Sequence, residues 1–205
     1  MASRRHRSAA RARSPRLSTN LRIIGGKFRG STILYHGDPT TRPMKERVRE
    51  AVFNLVGPAV KGKFVIDLFA GTGAMALEAI SRGADGAIVI ERSFPCAAEI
   101  RKNTEALGIA DRITIETADT FVWRRRGPAL PDIPQLVFCC PPYDYYLTRS
   151  VEMTDLVDQM ILAAPTNSVV VVECDGRFDT TSLPQPDRWD VRHYAPATVA
   201  VLDVE

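Results

Sequence analysis

The stretch "DLFAGTGAMA", residues 67–76, decides how the rest of the chain is read. The apolar run "FVIDLF" (64–69) leads into it, and "AMALEAISRG" (74–83) leaves it as a predicted helix with Gly83 as its stop. A strand that turns through glycines into a helix presents backbone N–H groups at the helix start. The missing side chains let a ligand come close to them. Gly71, Gly73 and Ala76 match the loose dinucleotide pattern G-x-G-x-x-G/A. That pattern is weak alone. It gains specificity from Glu91, which closes the next strand, "AIVIE" (87–91), where a carboxylate can hold the two hydroxyls of a ribose.

Asp67 narrows the ligand. It lies at the strand's exit into the expected pocket, four residues before Gly71. A carboxylate beside a pyrophosphate repels it, whereas beside a cation it attracts, directly or through a water. This argues against NAD and for S-adenosylmethionine, which carries an ammonium. Asp119, after the third strand, suits a neighbour of the adenine ring. It suits equally well a cap for the short helix "TFVWRRR" (120–126).

Outward from the glycine loop, strands and helices alternate. "SFPCAAEIRKNTEALG" (93–108) is a predicted helix with Ser93 near its start, and "RITIET" (112–117) a strand. "QLVFCC" (135–140) is a strand, "TRSVEMTDLVDQMILAA" (148–164) a helix and "SVVVVEC" (168–174) a strand. Residues 188–194 and 197–203 form two last strands around Ala195-Pro196. Near-continuous apolar strands between helices imply an α/β fold, a Rossmann-like parallel sheet covered on both faces. The last two strands have no helix between them, so they pair as an antiparallel hairpin and the sheet ends mixed. Upstream, "LRIIGGKFRGSTILY" (21–35) predicts a β-hairpin turning at Gly25-Gly26. "TTRPMKERVREAVFNLVG" (40–57) predicts a helix capped by Thr41, with Pro43 in its first turn and an apolar stripe of Met44, Val48, Val52 and Leu55.

Charge is distributed unevenly. Residues 1–37 hold nine of the 27 Lys and Arg and no acid, so the remaining 18 basic side chains face 24 acidic ones and the body is at −6. The first 20 residues, "MASRRHRSAARARSPRLSTN", cannot bury enough apolar surface to fold alone and read as a disordered basic tail that favours a polyanion such as RNA. Residues 21–205 then make a single domain. An organelle transit peptide is a weaker reading of the tail, because its helical apolar face is poor. No run of roughly 18 apolar residues predicts a membrane span, and no apolar core segment predicts a signal peptide. Cys96, Cys139, Cys140 and Cys174 show no metal-type spacing, so buried thiols in a cytoplasmic protein without a metal are expected.

With these residues assembled, the chain from about Leu21 onward resembles the bacterial small-subunit (16S) rRNA guanine-N(2)-methyltransferases of the RsmD type, within the class I S-adenosylmethionine-dependent methyltransferases. The resemblance rests on "RIIGGKFRG", "TRPMKERVREAVFN", "DLFAGTGAMALEAISRGA", "IVIE" and "PPY". It implies a seven-stranded sheet whose last strand is antiparallel, in agreement with the hairpin inferred above. It implies a cofactor site lined by Asp67, Ala70, Gly71, Gly73, Glu91 and Asp119, with the segment after Thr41 covering it. It also implies that the substrate is rRNA or an assembling small subunit. Lys27 and Arg29 of the hairpin, with Arg42 and Arg47, would meet the RNA. The protein is expected to be a monomer.

The resemblance finally implies that "CPPY" (140–143) occupies the place of the family's Asp/Asn-Pro-Pro-aromatic motif. An exocyclic base amine is a poor nucleophile, because its lone pair is shared with the ring. Two acceptors that hold its hydrogens favour a pyramidal nitrogen aimed at the methyl group: the first residue's side-chain oxygen and the first proline's carbonyl. The aromatic ring stacks on the base. Here Pro141, Pro142 and Tyr143 are present, but Cys140 replaces the oxygen with a thiol, a weak acceptor. Four consequences stay open on sequence alone: another acceptor nearby, a different target atom, RNA binding with little catalysis, or a thiolate nucleophile. Methylation of an adenine amine in DNA is a further alternative, disfavoured because no separate DNA-recognition domain is visible.

Overall fold

The computed structural model describes residues 21–35, 37 and 43–205. The basic tail, Thr41 and Arg42 lie outside the described residues. In chain order the elements are β1 (Leu21–Arg22), β2 (Thr32–Ile33), α1 (Glu46–Val56), β3 (Phe64–Asp67), α2 (Ala74–Ser81), β4 (Gly86–Ile90), α3 (Phe94–Ala106), β5 (Ile113–Glu116) and α4 (Thr120–Arg125). There follow β6 (Gln135–Cys139), α5 (Tyr145–Thr148), α6 (Ser150–Ala163), β7 (Val169–Asp175), β8 (Asp190–Tyr194) and β9 (Ala197–Asp203).

Seven strands form one sheet in the order β5-β4-β3-β6-β7-β9-β8. All neighbours are parallel except around β9, which runs antiparallel to β7 and to β8. This is the Rossmann-like, class I arrangement expected from the sequence. The order reverses between β3 and β6, and ligands bind outside the carboxyl ends of strands at such a switch point.

The central strands are buried on both faces because their alternate residues enter two separate cores. Val65, Val89, Leu136, Phe138, Val171 and Val199 pack with α1, α2 and Ile100 of α3. Ile66, Ile88, Ile90, Val137 and Val172 pack with Phe121 of α4 and with Met153, Leu156, Val157 and Met160 of α6. The same alternation separates the adjacent cysteines: Cys139 enters the second core, while Cys140 faces the first.

Two upstream expectations change. The strand pair β1–β2 exists, but its connection is long and the glycines do not make a tight hairpin turn. Instead, Gly25-Gly26 press onto the end of α2. A Cβ on Gly26 would stand 1.9 Å from the Ser81 carbonyl oxygen, at a φ of +77°. The Lys27 N–H donates to that carbonyl at 2.7 Å, and the Ser81 hydroxyl donates to the Gly25 carbonyl at 2.6 Å. The second change is that α1 begins at Glu46, so Pro43 precedes the helix. Its buried stripe includes a charge that periodicity did not flag, Arg49, fully buried with Val48, Val52, Phe53 and Val56.

Candidate active site

A cavity of about 370 Å³ opens at the carboxyl ends of the central strands. Each parallel strand of the centre contributes the residue at its exit. Asp67 ends β3, Glu91 follows β4, Cys140 follows β6, and Glu173 lies near the end of β7. Met44, Lys45 and Val48 line it from the start of α1, and Pro196 and Ala197 from the β8–β9 turn.

Asp67 is buried, 1% exposed. The N–H groups of Phe69 and Ala76 donate to its carboxyl, while Oδ2 finds no hydrogen-bond partner among the described residues. Burial, with a smaller contribution from the Glu91 charge, raises this carboxyl to about 7. Glu91 is held as a rigid acceptor. One oxygen takes the Gly71 N–H at 2.7 Å and the other the Ser93 N–H at 2.6 Å. Asp119 is the helix cap that the sequence allowed. It caps α4 by accepting from Phe121 and Val122 N–H at 3.0 and 3.1 Å, and it lines the cavity.

Ala70 and Gly71 line the cavity beside these carboxylates, but Gly73 does not. Gly73 sits at the start of α2 with a φ of +74°, where a Cβ would come within 3.0 Å of the Ile100 side chain. The missing side chain lets α2 pack closely against α3.

After β6 the chain turns sharply at Cys140-Pro141-Pro142-Tyr143, and all four residues line the cavity. The Pro142 carbonyl accepts the Tyr145 N–H at 2.9 Å, whereas the Pro141 carbonyl joins no backbone hydrogen bond among the described residues. Burial, then the charges of Glu173 and Asp67, hold the Cys140 thiol protonated, well above its ordinary range. A protonated thiol at this position argues against the thiolate nucleophile. Of the following residues, Asp144 and Tyr145 line the mouth, while Tyr146 is buried against Phe178 with ring centroids 4.6 Å apart.

The basic residues expected to meet RNA are spread out. Lys27 and Arg29 are exposed on the loop that docks at the far end of α2 from the cavity. Arg47 is exposed near the rim and donates to the Ala195 carbonyl at 2.5 Å, tying α1 to the β8–β9 turn. Glu173 was missed by the sequence reading. Its signal was available: "VVVVEC" carries one acid at the end of an apolar strand, as "FVID" and "AIVIE" do.

Comparison with known proteins places the chain. A family model described as "Conserved hypothetical protein 95" matches residues 21–199. The chain belongs to this family. Among curated relatives, Ribosomal RNA small subunit methyltransferase D of Escherichia coli (strain K12) is 35% identical over 127 residues, 62% of this chain and 62% of that one. The protein of the same name from Buchnera aphidicola (subsp. Acyrthosiphon pisum) is 29% identical over 134 residues, 65% of this chain and 69% of its own. The aligned stretch thus spans less than two thirds of the E. coli relative's length. The solved structure of yhhF from E. coli superposes with a TM-score of 0.71 at 26% identity, covering 91% of this chain and 98% of that chain. An RNA methyltransferase from Salinibacter ruber, in complex with S-adenosyl-L-homocysteine, shares the fold at 18% identity with a TM-score of 0.57, covering 80% of this chain and 94% of its own. The RsmD-type resemblance read from the motifs is borne out by this family and these relatives. No helix among the described residues is long and apolar enough to cross a membrane.

Proposed function

We propose that this chain is an S-adenosylmethionine-dependent methyltransferase acting on the exocyclic amine of a guanine in small-subunit rRNA. One observation carries this most directly: the buried, unpartnered Asp67 oxygen shares a cavity with the Cys140–Tyr143 turn. An orphaned carboxylate at the exit of the first strand fits a ligand that brings a cation, because its desolvation is offset only by an opposite charge or a donor. Asp67 would hold the ammonium of the cofactor, Glu91 its ribose hydroxyls, and Asp119 would flank its adenine. When bound, S-adenosylmethionine supplies an electrophilic methyl group.

The protein's own contribution is positioning. The Tyr143 ring is a platform for the flipped base, worth about 1–3 kcal/mol of stacking. The Pro141 carbonyl, held by two rigid prolines, accepts one hydrogen of the amine. Orientation of the amine at a fixed distance from the donor carbon lowers the barrier without further chemistry. The names of the relatives support rRNA as substrate, and the RsmD-type resemblance supports the guanine amine. Lys27, Arg29, Arg42 and Arg47 would contact phosphates, and the protein would act as a monomer in the cytoplasm.

The test is incubation with labelled S-adenosylmethionine and undermodified small subunits, followed by nucleoside analysis. Label in N2-methylguanosine supports the proposal. No label in rRNA, under conditions where a related enzyme transfers it, overturns it. Salt-sensitive RNA binding without label would instead favour an assembly protein that kept the fold, and label in adenine would reassign the target amine.

A further inference from the structure

We infer that Glu173 is a catalytic residue of the reaction centre, supplying the side-chain acceptor that Cys140 does not. The inference rests on the methyltransferase proposal above and concerns the same cavity. Cys139 and Val172 are partners in the parallel β6–β7 register, so the next residues, Cys140 just past the end of β6 and Glu173 within β7, lie side by side. A Glu173 backbone N–H donates to the Cys140 sulfur, and both residues line the cavity. The Tyr143 hydroxyl donates to Glu173 Oε1 at 2.7 Å. The base-stacking ring and the carboxylate are therefore locked together, on one wall, at the position of the motif's first side chain.

A carboxylate offers about four acceptor sites on two oxygens. One of these takes the Tyr143 hydroxyl, and in the proposed complex another takes an amine N–H of the base stacked on that same ring. Glu173 and the Pro141 carbonyl then form the two-acceptor pair that the amine needs. This also accounts for the thiol. An Asp at 140 would stand beside Glu173 and Asp67, and three carboxylates in one buried site repel one another. A small protonated thiol fills the position without adding charge.

In the step itself, the amine nitrogen's lone pair forms the new N–C bond while the S–C bond breaks and its electron pair stays on sulfur, leaving neutral S-adenosylhomocysteine. The methylated nitrogen is then cationic and loses one proton. Glu173 accepts it through the hydrogen bond already in place and passes it to solvent at the cavity mouth.

The experiment compares single-turnover label transfer to undermodified small subunits by the wild type and by Glu173→Ala, Glu173→Gln, Tyr143→Phe and Glu173→Ala/Cys140→Asn, with S-adenosylhomocysteine affinity measured for each as a check of folding. Glu173→Ala is expected to slow transfer about 100-fold or more, the cost of one preorganised hydrogen bond, with cofactor affinity unchanged. Glu173→Gln keeps one acceptor oxygen and loses less. Adding Cys140→Asn restores transfer, because the amide oxygen returns an acceptor to the same wall. A wild-type rate for Glu173→Ala overturns the inference. So does an equal loss in Tyr143→Phe and Glu173→Ala that Cys140→Asn leaves unrepaired, since Glu173 would then only hold the tyrosine. A wild type that transfers no label overturns the methyltransferase proposal itself, and this inference with it.

Discussion

The Arg49 guanidinium and the Glu78 carboxylate are both fully buried and lie 3.7 Å apart, joining α1 to α2 beneath the N-terminal strand pair. They are not equal partners. Glu78 also accepts the N–H groups of Ile24 and Gly25, each at 2.7 Å, and the Arg82 Nε at 2.7 Å. Arg49 donates to the Arg22 carbonyl at 2.5 Å, but its Nε and Nη1 find no hydrogen-bond partner among the described residues.

Removing Glu78 therefore strands a buried cation and two backbone donors, whereas removing Arg49 leaves Glu78 with three donors. Glu78→Ala is expected to cost about 3–5 kcal/mol, the range for breaking a buried pair from one side. Arg49→Met should cost clearly less, since it removes a poorly satisfied charge and keeps the packing. Urea denaturation of the two variants checks the order. Equal losses would mean that the direct ion pair, not the Glu78 hub, dominates.

Cofactor affinity should depend on pH through Asp67. Its carboxyl titrates near 7 in the fold against an ordinary 3.8. Between those values the native state keeps a proton that the unfolded chain has lost, so Asp67 makes stability fall as pH rises through that window. A cationic ligand favours the charged form, so binding expels the proton. Affinity for S-adenosylhomocysteine is expected to rise with pH up to about 7 and then level off. Titration calorimetry at pH 6 in two buffers of different ionisation heat should report proton release. Asp67→Asn should remove the pH slope and weaken binding by about 10- to 100-fold, the value of a hydrogen bond to a charged group. Binding of the wild type without proton release would argue against Asp67 as the cation's partner.

At position 140, Asn and Asp should diverge. Cys140→Asn adds a neutral acceptor and is expected to sustain or raise turnover. Cys140→Asp adds a charge beside Glu173 and Asp67, whose fields already reach this thiol. It should lower thermal stability and leave turnover below that of the Asn variant at neutral pH. Methylation rates and melting temperatures of the two variants decide this, and an Asp variant as stable as the Asn one would show that the carboxylates are better screened than their burial suggests.

Gly26 offers a prediction without chemistry. A Cβ there meets the Ser81 carbonyl at 1.9 Å and is held at a positive φ. Gly26→Ala should detach the Gly25–Phe28 loop from α2 and destabilise the fold by about 1–2 kcal/mol from the left-handed backbone alone, with the clash in addition. Hydrogen exchange of the Ile24, Gly25, Lys27 and Phe28 amides should rise. Cofactor affinity should hold, because the loop docks at the end of α2 remote from the cavity.

The charge of the first 20 residues, six Arg and no acid, predicts salt-sensitive RNA binding. Deleting them should shallow the dependence of log K on log salt by at most about 4, if every Arg neutralises one phosphate of a single strand. An unchanged slope would assign RNA binding to the domain alone.

The sheet and much of the cavity were legible in the sequence because their signals are local. Apolar runs between helices mark a parallel sheet, glycines mark the turn after β3, and a lone acid at the exit of an apolar strand marks the cavity edge, as Asp67 and Glu91 do. Gly73 belongs to the same motif, and its closeness to α3 was not legible, since only the path of α3 puts Ile100 where a Cβ would go. Gly25-Gly26 looked like a hairpin turn and proved to be a contact with Ser81, 55 residues on from Gly26. Arg49 and Glu78 meet across two helices, and Cys140, Tyr143 and Glu173 across two strands. No periodicity within one segment encodes such pairs, because they exist only once β6 and β7 lie in register and α1 packs over α2. The residue types were determined by sequence alone. Which of them are left buried with a donor, a carboxylate or nothing beside them was decided by the tertiary structure, since desolvation and charge depend on distances the chain acquires only when folded.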